Sequence, residues 1–337
     1  MKNFIKKAFS INEVKLAVVF ALIVAVFSFI NPDCFTVANF YSLISATAIT
    51  AIYSLAIMLV MCSGSIDASC AVIGSFGAYC TIYFVSQWGL DLSPIILFIS
   101  SVVICLVLEL INWFMVGVLN FDSYIATTAT ASMLKGAVLV CVSTSYVYSL
   151  PSKIGALGLI QLDRAVYSNG IEAPLYISAL FMVIFYIIMH IVMTYTNFGR
   201  QVYAVGADPE AATRAGINVR RVRLVVFLVC GIICGMAGIL RDAVGKYSFP
   251  NPGDVVGKEN IAIASVILGT ANNSKARGSV VGTLLGVFMI KFIETNLVMI
   301  GINTYWATFA TGLIMYIGLV GQMSDRKIKL FPKKEGK

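Results

Sequence analysis

The sequence predicts an all-α polytopic membrane protein with about ten transmembrane helices in a single domain, residues 1–337. Of its 337 residues, 59% are hydrophobic and only 12% are charged, whereas about a quarter is charged in soluble domains. Hydrophobic runs of about 17 residues or more recur along the whole length, and such runs are long enough to cross a bilayer. This pattern leaves no room for a separate soluble domain.

The hydrophobic runs predict ten candidate spans along the chain. They are 14–30, 41–62, 70–86, 94–119, 124–149, 174–196, 224–241, 261–271, 279–299 and 302–322. The eighth run is too short for a full crossing. We therefore expect it to be longer than it looks, or re-entrant and buried in protein.

Lysine and arginine cluster in short segments between the spans. These segments are the N-terminal residues before the first span, the stretch 197–223, the pair Lys275 and Arg277, and the tail 323–337. Basic loops stay on the cytoplasmic side, so this distribution predicts that both termini and the stretch 197–223 are cytoplasmic. The same distribution explains the net charge of +8 by contact with anionic membrane lipid and argues against a nucleic-acid partner.

The stretch 197–223 carries five arginines and a short helix with both ends marked. Asp208 is a good N-cap, because its carboxylate accepts from free backbone N–H groups. Pro209 follows at the first helical position, where a missing N–H costs nothing. Gly216 stands where the chain leaves the helix with positive φ. We expect a helix over 209–215.

The side chains of this helix divide into two faces. Glu210 and Arg214 are four residues apart, acid first, and are expected to pair. A face of alanines lets a partner approach closely; it consists of Ala211, Ala212 and Ala215. The alternative is an ordinary connecting loop whose arginines only set the topology.

The stretch 62–69, CSGSIDAS, interrupts an otherwise apolar region. A Gly–Ser-rich break with an acid, Asp67, at membrane depth favours a discontinuous helix that lines a cavity. The alternative is a plain cytoplasmic turn between the second and third spans.

Polar residues within the spans are candidates for the transport pathway, because they are costly in lipid. Asp67 and Glu109 lead this group. Lys291 and Glu294 are three residues apart on one helix and are expected to neutralise each other. Asn296 and the nearby Trp306 suit a polar, ring-shaped solute such as a sugar or a nucleoside.

No catalytic or cofactor motif is present. The chain has no GxxxxGK[ST] loop for ATP, no HExxH pattern and no GxSxG nucleophile motif. Seven of the eight cysteines lie within apolar runs and lack zinc-ligand spacing, so we interpret them as small core residues. The expectation is a non-enzymatic chain without a metal or cofactor of its own.

Several stretches resemble one family. GADPEAATRAGI looks like the "EAA" coupling segment of ABC transporter permeases, and YAVGADPEAATRAGINVRRV is similar to that of the bacterial ribose/simple-sugar permeases. SGSIDAS resembles the GGIDLS segment of that family, and RGSVVGTLLG resembles its GSVxGTxxG. Asn112 and Thr127 match an asparagine and a threonine of the family. ANNSKARG, which stands in place of a Gly–Gly run, marks a divergent member.

The resemblance implies a membrane-spanning permease subunit of an ATP-driven importer in the bacterial cytoplasmic membrane. Its partners would be ABC ATPases that carry ATP and Mg²⁺, a second permease subunit, and an extracytoplasmic binding protein that delivers a sugar-like solute. It implies an ATPase-coupling set of Asp208, Pro209, Glu210, Ala211, Ala212, Arg214, Ala215 and Gly216. The expected substrate pathway is Asp67, Ser69, Asn112, Thr127 and Asn296. The alternatives are an ion-coupled secondary transporter, built on buried carboxylates, and a nucleoside as the solute.

Overall fold

The computed structural model describes residues 12–250, 258–270 and 278–303, together with seven positions between 305 and 316. Most of the N-terminal basic segment, Lys275, Arg277 and the tail 323–337 lie outside the described residues. The described part is almost entirely helical, which confirms an all-α polytopic membrane protein.

The helices and strands follow one another in this order. They are α1 (Asn12–Ile30), α2 (Val37–Cys62), α3 (Cys70–Gln87), α4 (Pro94–Trp113), α5 (Ser123–Ala137), α6 (Ser152–Leu159), β1 (Gln161–Val166), β2 (Glu172–Tyr176), α7 (Ser178–Tyr195), α8 (Asn197–Ala207), α9 (Pro209–Arg214), α10 (Val219–Gly245), α11 (Lys258–Thr270) and α12 (Val280–Met299). A π-helical turn extends α4 to Val118, and another extends α5 to Val142.

Eight helices in the described part are long and apolar enough to cross a membrane: α1 to α5, α7, α10 and α12. They correspond to the first seven predicted spans and the ninth. The eighth, α11, has 13 residues, or about 20 Å at 1.5 Å per residue, which is short of the ~30 Å hydrocarbon core. Much of the predicted tenth span, 302–322, lies outside the described residues, although positions 305, 306, 308, 309, 312, 313 and 316 are helical.

A small hairpin lies between the fifth and sixth spans, and its second strand takes up the first residues of the predicted sixth span, 174–196, so that this span begins at Ser178. Its strands β1 and β2 are antiparallel, with Arg164 opposite Pro174 and an irregularity between Gln161 and Asp163. Ser45 Oγ on α2 donates to the Pro174 carbonyl at 2.9 Å. The fifth span ends at Val142 rather than at 149, because Ser143 is extended and Val147 beyond it pairs with Ser248 in a β-bridge instead of continuing the helix.

The core is built around α2, α3 and α10. In the apolar stretch of α2, 83% of the residues are buried, compared with 11% in α1. The helix α2 is therefore central and α1 is peripheral. Glycines allow the helices to approach closely: a Cβ on Gly238 of α10 would lie 2.1 Å from the Gly74 carbonyl oxygen. Likewise, a Cβ on Gly282 would lie 2.5 Å from the Gly269 carbonyl oxygen. Small residues allow membrane helices to pack this closely.

Contacts between distant segments define the two ends of the helix bundle. At one end, Tyr203 of α8 donates to the Gly278 carbonyl at 2.8 Å, and Ser279 Oγ donates to Glu13 Oε1 at 2.7 Å. The arginines of α8, α9 and the start of α10 lie at this end, which we call the basic end: Arg200, Arg214, Arg220, Arg221 and Arg223. The hairpin lies at the other end, where the Tyr41 hydroxyl donates to Asp163.

Candidate transport pathway and coupling segment

Residues 63–69 turn the chain from α2 into α3 at the basic end. Gly64 has φ +83, and a Cβ on it would lie 3.3 Å from the Cα of Gly206 at the end of α8. After this turn the chain is not helical until Cys70, and it runs inward with Ser65 and Asp67 buried. Both sequence interpretations therefore hold in part: the segment is a turn at the basic end, and its second half is buried non-helical backbone.

Three of the predicted pathway residues, Asp67, Ser69 and Asn112, meet in one buried network with Glu109 and Thr130. Asp67 Oδ1 accepts from the backbone N–H of Ser69 at 2.8 Å and from its hydroxyl at 2.6 Å. Asn112 of α4 donates to Ser69 Oγ at 2.8 Å, and to Glu109 Oε2 at 3.1 Å. Thr130 of α5 donates to Asn112 Oδ1 at 2.8 Å. The network joins the 63–69 segment to α4 and α5.

Thr127 and Ser123 hold the backbone of the same segment. Thr127 Oγ1 accepts from the Ala68 N–H at 3.1 Å, and Ser123 Oγ accepts from the Ile66 N–H at 2.9 Å. Buried backbone donors outside a helix need such partners. The first turn of α5 thus supplies the hydrogen bonds that the non-helical backbone lacks.

None of these side chains faces an open cavity in this conformation. Asp67, Ser69, Asn112 and Thr127 are all fully buried, and so is Glu109. Asp67 and Thr127 remain predicted residues of the translocation cavity, and in this structure their polar atoms hydrogen-bond to neighbouring residues. The physical reason is that a polar backbone break inside a packed chain is satisfied first by its own neighbours.

Asn296 lies apart from this network. Its Oδ1 accepts from Asn39 Nδ2 at 3.0 Å, and Asn39 also donates to the Cys34 carbonyl at 2.8 Å. This contact joins the ends of α12 and α2 on the hairpin side of the molecule. One turn earlier on α12, Lys291 and Glu294 form an ion pair at 2.6 Å, which confirms the predicted neutralisation.

The short helix of the 197–223 stretch has the caps that the sequence predicts. Asp208 Oδ1 accepts from the N–H groups of Glu210 and Ala211 at 2.9 and 3.0 Å. Pro209 begins α9, and Gly216 leaves it with φ +83. The predicted helix 209–215 ends one residue earlier, because Ala215 forms its C-cap.

The faces of α9 differ from the prediction. Ala212 is only 4% exposed and belongs to the core of this chain, whereas Ala211 and Ala215 are exposed. The prediction that the three alanines form one face is therefore wrong. Because α9 has only six helical residues, its contact with the bundle depends on the one alanine that is buried. Glu210 and Arg214 are both exposed and form no ion pair in this described segment.

Sequence reasoning missed the helix that precedes α9. In α8, Val202 and Val205 are fully buried while Arg200 is exposed. The spacing of these two valines, together with Phe198 four residues before Val202, is the available signal for an amphipathic helix. A Cβ on Gly206 would lie 2.0 Å from the Cys62 carbonyl oxygen, so the end of α8 rests directly on the end of α2.

A groove of about 500 Å³ lies beside α9 at the basic end. It is lined by Gly117, Asn120, Thr213, Gly216, Ile217, Asn218, Val219, Arg220 and Arg223. The arrangement presents an exposed capped helix and cationic side chains next to one depression, which suits attachment of another protein.

Comparison with known proteins identifies the family. Residues 39–319 match the family described as branched-chain amino acid transport system / permease component. The chain belongs to this family of permeases.

Relatives of this permease match it over most of its length. The probable ABC transporter permease protein YphD of Escherichia coli is 30% identical over 330 residues, covering 96% of this chain and 92% of that protein. The ribose import permease protein RbsC of Bacillus subtilis is 29% identical over 306 residues, covering 91% and 90%. The autoinducer 2 import system permease protein LsrC of Yersinia pseudotuberculosis is 26% identical over 293 residues, covering 86% and 79%. No solved structure matches the chain.

The family and the apolar helices show that this permease is a multi-pass protein of the bacterial inner membrane.

One buried charged pair of this permease was not predicted from the sequence. Arg241 donates to Asp242 at 2.5 Å, both residues are almost fully buried, and the guanidinium lies 5.2 Å from the Tyr247 ring. The available signal was an Arg–Asp pair near the end of a largely apolar helix, three residues after the packing glycine Gly238.

Proposed function

We propose that this permease is the membrane-spanning subunit of an ATP-driven ABC importer for a sugar or sugar-like solute. The printed names of two relatives, which describe ribose import and autoinducer 2 import, support this solute class. ATP and Mg²⁺ belong to a partner ATPase, and the whole chain 1–337 acts as one domain. A second permease subunit completes the pathway, and an extracytoplasmic binding protein delivers the solute at the hairpin end.

The capped helix α9 is the observation that carries the proposal. Its exposed residues Glu210, Ala211, Arg214 and Ala215 form the attachment face, while Ala212 anchors the helix to the bundle. Asp208, Pro209 and Gly216 fix where the helix begins and ends. Because Ala212 attaches α9 to the bundle, a movement of the bound ATPase displaces α9 together with the core residues that Ala212 contacts.

The contacts beneath α9 define a route from the ATPase to the pathway. The end of α8 touches the end of α2 through Gly206, and Gly64 rests on the same glycine. Three residues further on is Asp67, in the network with Ser69 and Asn112. Movement of α8 therefore acts directly on the segment that Thr127 and Asn112 hold closed. In this proposal the pathway residues seal the cytoplasmic side, and Asn296 lies at the outer side.

Transport in proteoliposomes tests the proposal. The permease is reconstituted with its ATPase and binding protein, and uptake of radiolabelled ribose is measured with internal or external ATP and no ion gradient. We expect uptake only when ATP is on the ATPase side, and none with a non-hydrolysable analogue.

The competing mechanism, an ion-coupled secondary transporter, predicts a different result. Uptake driven by a proton or sodium gradient without ATP, and abolished by an ionophore, would contradict an ABC importer. Replacing ribose with a nucleoside in the same assay separates the two solute classes, because only the delivered solute stimulates hydrolysis.

A further inference from the structure

Three cysteines from two helices meet inside the bundle. Cys70 Sγ, at the start of α3, lies 2.9 Å from Cys234 Sγ and 3.3 Å from Cys230 Sγ, both on α10. The two α10 sulfurs are 3.9 Å apart, because residues at i and i+4 share a helix face. All three side chains are fully buried.

Two carboxyl groups face one of these sulfurs, that of Cys230, which belongs both to the cysteine group and to a second group formed with Asp67 and Glu109. Asp67 Oδ2 lies 3.6 Å from Cys230 Sγ, and Glu109 Oε1 lies 3.7 Å from it. The other oxygen of each group is already used, since Asp67 Oδ1 accepts from Ser69 and Glu109 Oε2 accepts from Asn112. The remaining oxygen of each group faces Cys230, and the two carboxyl groups also hydrogen-bond each other.

The two carboxyl groups of this cluster, Asp67 and Glu109, have no basic side chain as a partner among the described residues. Buried carboxylates are stable when they are paired or coordinate a metal ion. A cation at this place would satisfy both the carboxyl oxygens and the thiols.

We propose that Cys70, Cys230 and Cys234 form a buried site for one thiophilic divalent cation of the zinc class, with a carboxylate oxygen of Asp67 or Glu109 as the fourth ligand. Zn–S bonds of about 2.3 Å in a tetrahedron place two sulfurs about 3.8 Å apart, and sulfur and oxygen about 3.5 Å apart. The Cys230–Cys234 and Cys230–carboxyl distances already match these values. Cys70 reaches its place by moving away from Cys234 by roughly 1 Å. The carboxyl group that completes the tetrahedron also has to move from its place beside Cys230 toward the other two sulfurs.

Binding has a defined proton balance and a mechanical result. Each thiol that coordinates the ion releases its proton to solvent, so affinity rises with pH. The bound ion ties α3 to α10, and through the carboxyl group it also ties the 63–69 segment or α4. It would stabilise the closed arrangement of that segment. The site does not depend on which solute the permease carries.

Metal analysis of the full chain tests the site. The permease is purified in detergent under reducing conditions, loaded with Zn²⁺ or Co²⁺ and desalted. We expect about one ion per chain, and for Co²⁺ the visible absorption of a tetrahedral thiolate complex. Cys230→Ser should lower the metal content at least about tenfold. Cys80→Ser is the matched control, since Cys80 is also buried on α3 but lies outside the cluster, and it should bind as the wild type does.

Three results would overturn the proposal. The first is that wild-type protein, monodisperse on size exclusion, retains no Co²⁺ and shows no thiolate absorption. The second is that Cys230→Ser binds as much metal as the wild type. The third is that a Cys70–Cys234 disulfide persists in the reduced preparation. If Cys230→Ser does not fold, displacement of Co²⁺ from wild-type protein by Zn²⁺, with loss of the thiolate absorption, decides the matter alone.

Discussion

Asn112 on α4 donates a hydrogen bond of 2.8 Å to the hydroxyl of Ser69, the last residue before α3 begins. This bond fixes the non-helical segment 63–69 against a helix that is distant in sequence. Because both residues are fully buried, no water replaces the bond if one partner is lost. The closed state of the segment therefore depends on a small number of side chains.

Removing one partner from this network should impair the permease. Thr130→Val keeps the shape of the side chain but leaves Asn112 Oδ1 without its donor, which costs about 1–3 kcal/mol for a buried acceptor. We expect a lower melting temperature in detergent and reduced ATP-dependent uptake. Ser132→Ala on the same helix is the control, because Ser132 is exposed and bonds only within α5. Equal loss in both variants would show that the network has no special role.

Leucine substitutions at neighbouring alanines of α9 should have different effects. Ala212→Leu overfills the chain's own core, which costs about 1–3 kcal/mol, so it should lower the melting temperature of the isolated permease. Ala211→Leu enlarges the exposed face and should leave that temperature unchanged. It should instead weaken co-purification of the ATPase, by roughly ten- to a hundredfold in affinity for the same energy. Normal attachment and normal coupled hydrolysis in Ala211→Leu would remove α9 as the coupling element.

Close helix packing predicts a strong position dependence for glycine substitutions. Gly238→Ala places a Cβ 2.1 Å from the Gly74 carbonyl oxygen, so α3 and α10 have to separate. We expect loss of folded protein on fluorescence-detected size exclusion. At Gly136 of α5, nothing lies within 4 Å of an added Cβ, and alanine favours the helix by about 1 kcal/mol. Gly136→Ala should therefore be neutral or stabilising.

The tie between the hairpin and α2 should weaken in acid. The hydrogen bond from Tyr41 and the backbone N–H of Arg164 hold the pKa of Asp163 below its usual value. A carboxyl group whose pKa is lowered on folding stabilises the fold above its unfolded pKa, and this contribution disappears as pH falls through the folded pKa. Asp163→Asn should therefore lower the melting temperature at neutral pH and have no effect at pH values below the folded pKa. A difference between wild type and variant that is constant across pH would contradict this assignment.

Local patterns were enough to predict several parts of the fold. The apolar runs predicted α1 to α5, α7, α10 and α12, since a membrane span leaves a long hydrophobic signal. The caps Asp208 and Gly216 predicted the bounds of α9 to within one residue, because capping depends on neighbours in sequence. The Lys291–Glu294 pair followed from helical spacing in the same way.

Other features required the tertiary structure. The burial of Ala212 depends on which side of α9 meets the bundle, and six helical residues give too little periodicity to show it. Asp67, Ser69, Asn112 and Thr127 were each predicted, but their assembly depends on how α3, α4 and α5 pack. The cysteine cluster joins Cys70 to residues 160 and 164 positions away, so no spacing along the chain reveals it.

By itself, the sequence determined the class of protein, the position of most spans, the basic end and the capped helix. Each of these follows from hydrophobicity, charge or capping among residues that are near neighbours in the chain. Only the tertiary structure decided that the 63–69 segment is buried and closed, that α8 rests on it through Gly206, and that three thiols and two carboxyl groups converge beside it. Those contacts depend on the distances between helices far apart in the chain, which packing alone sets.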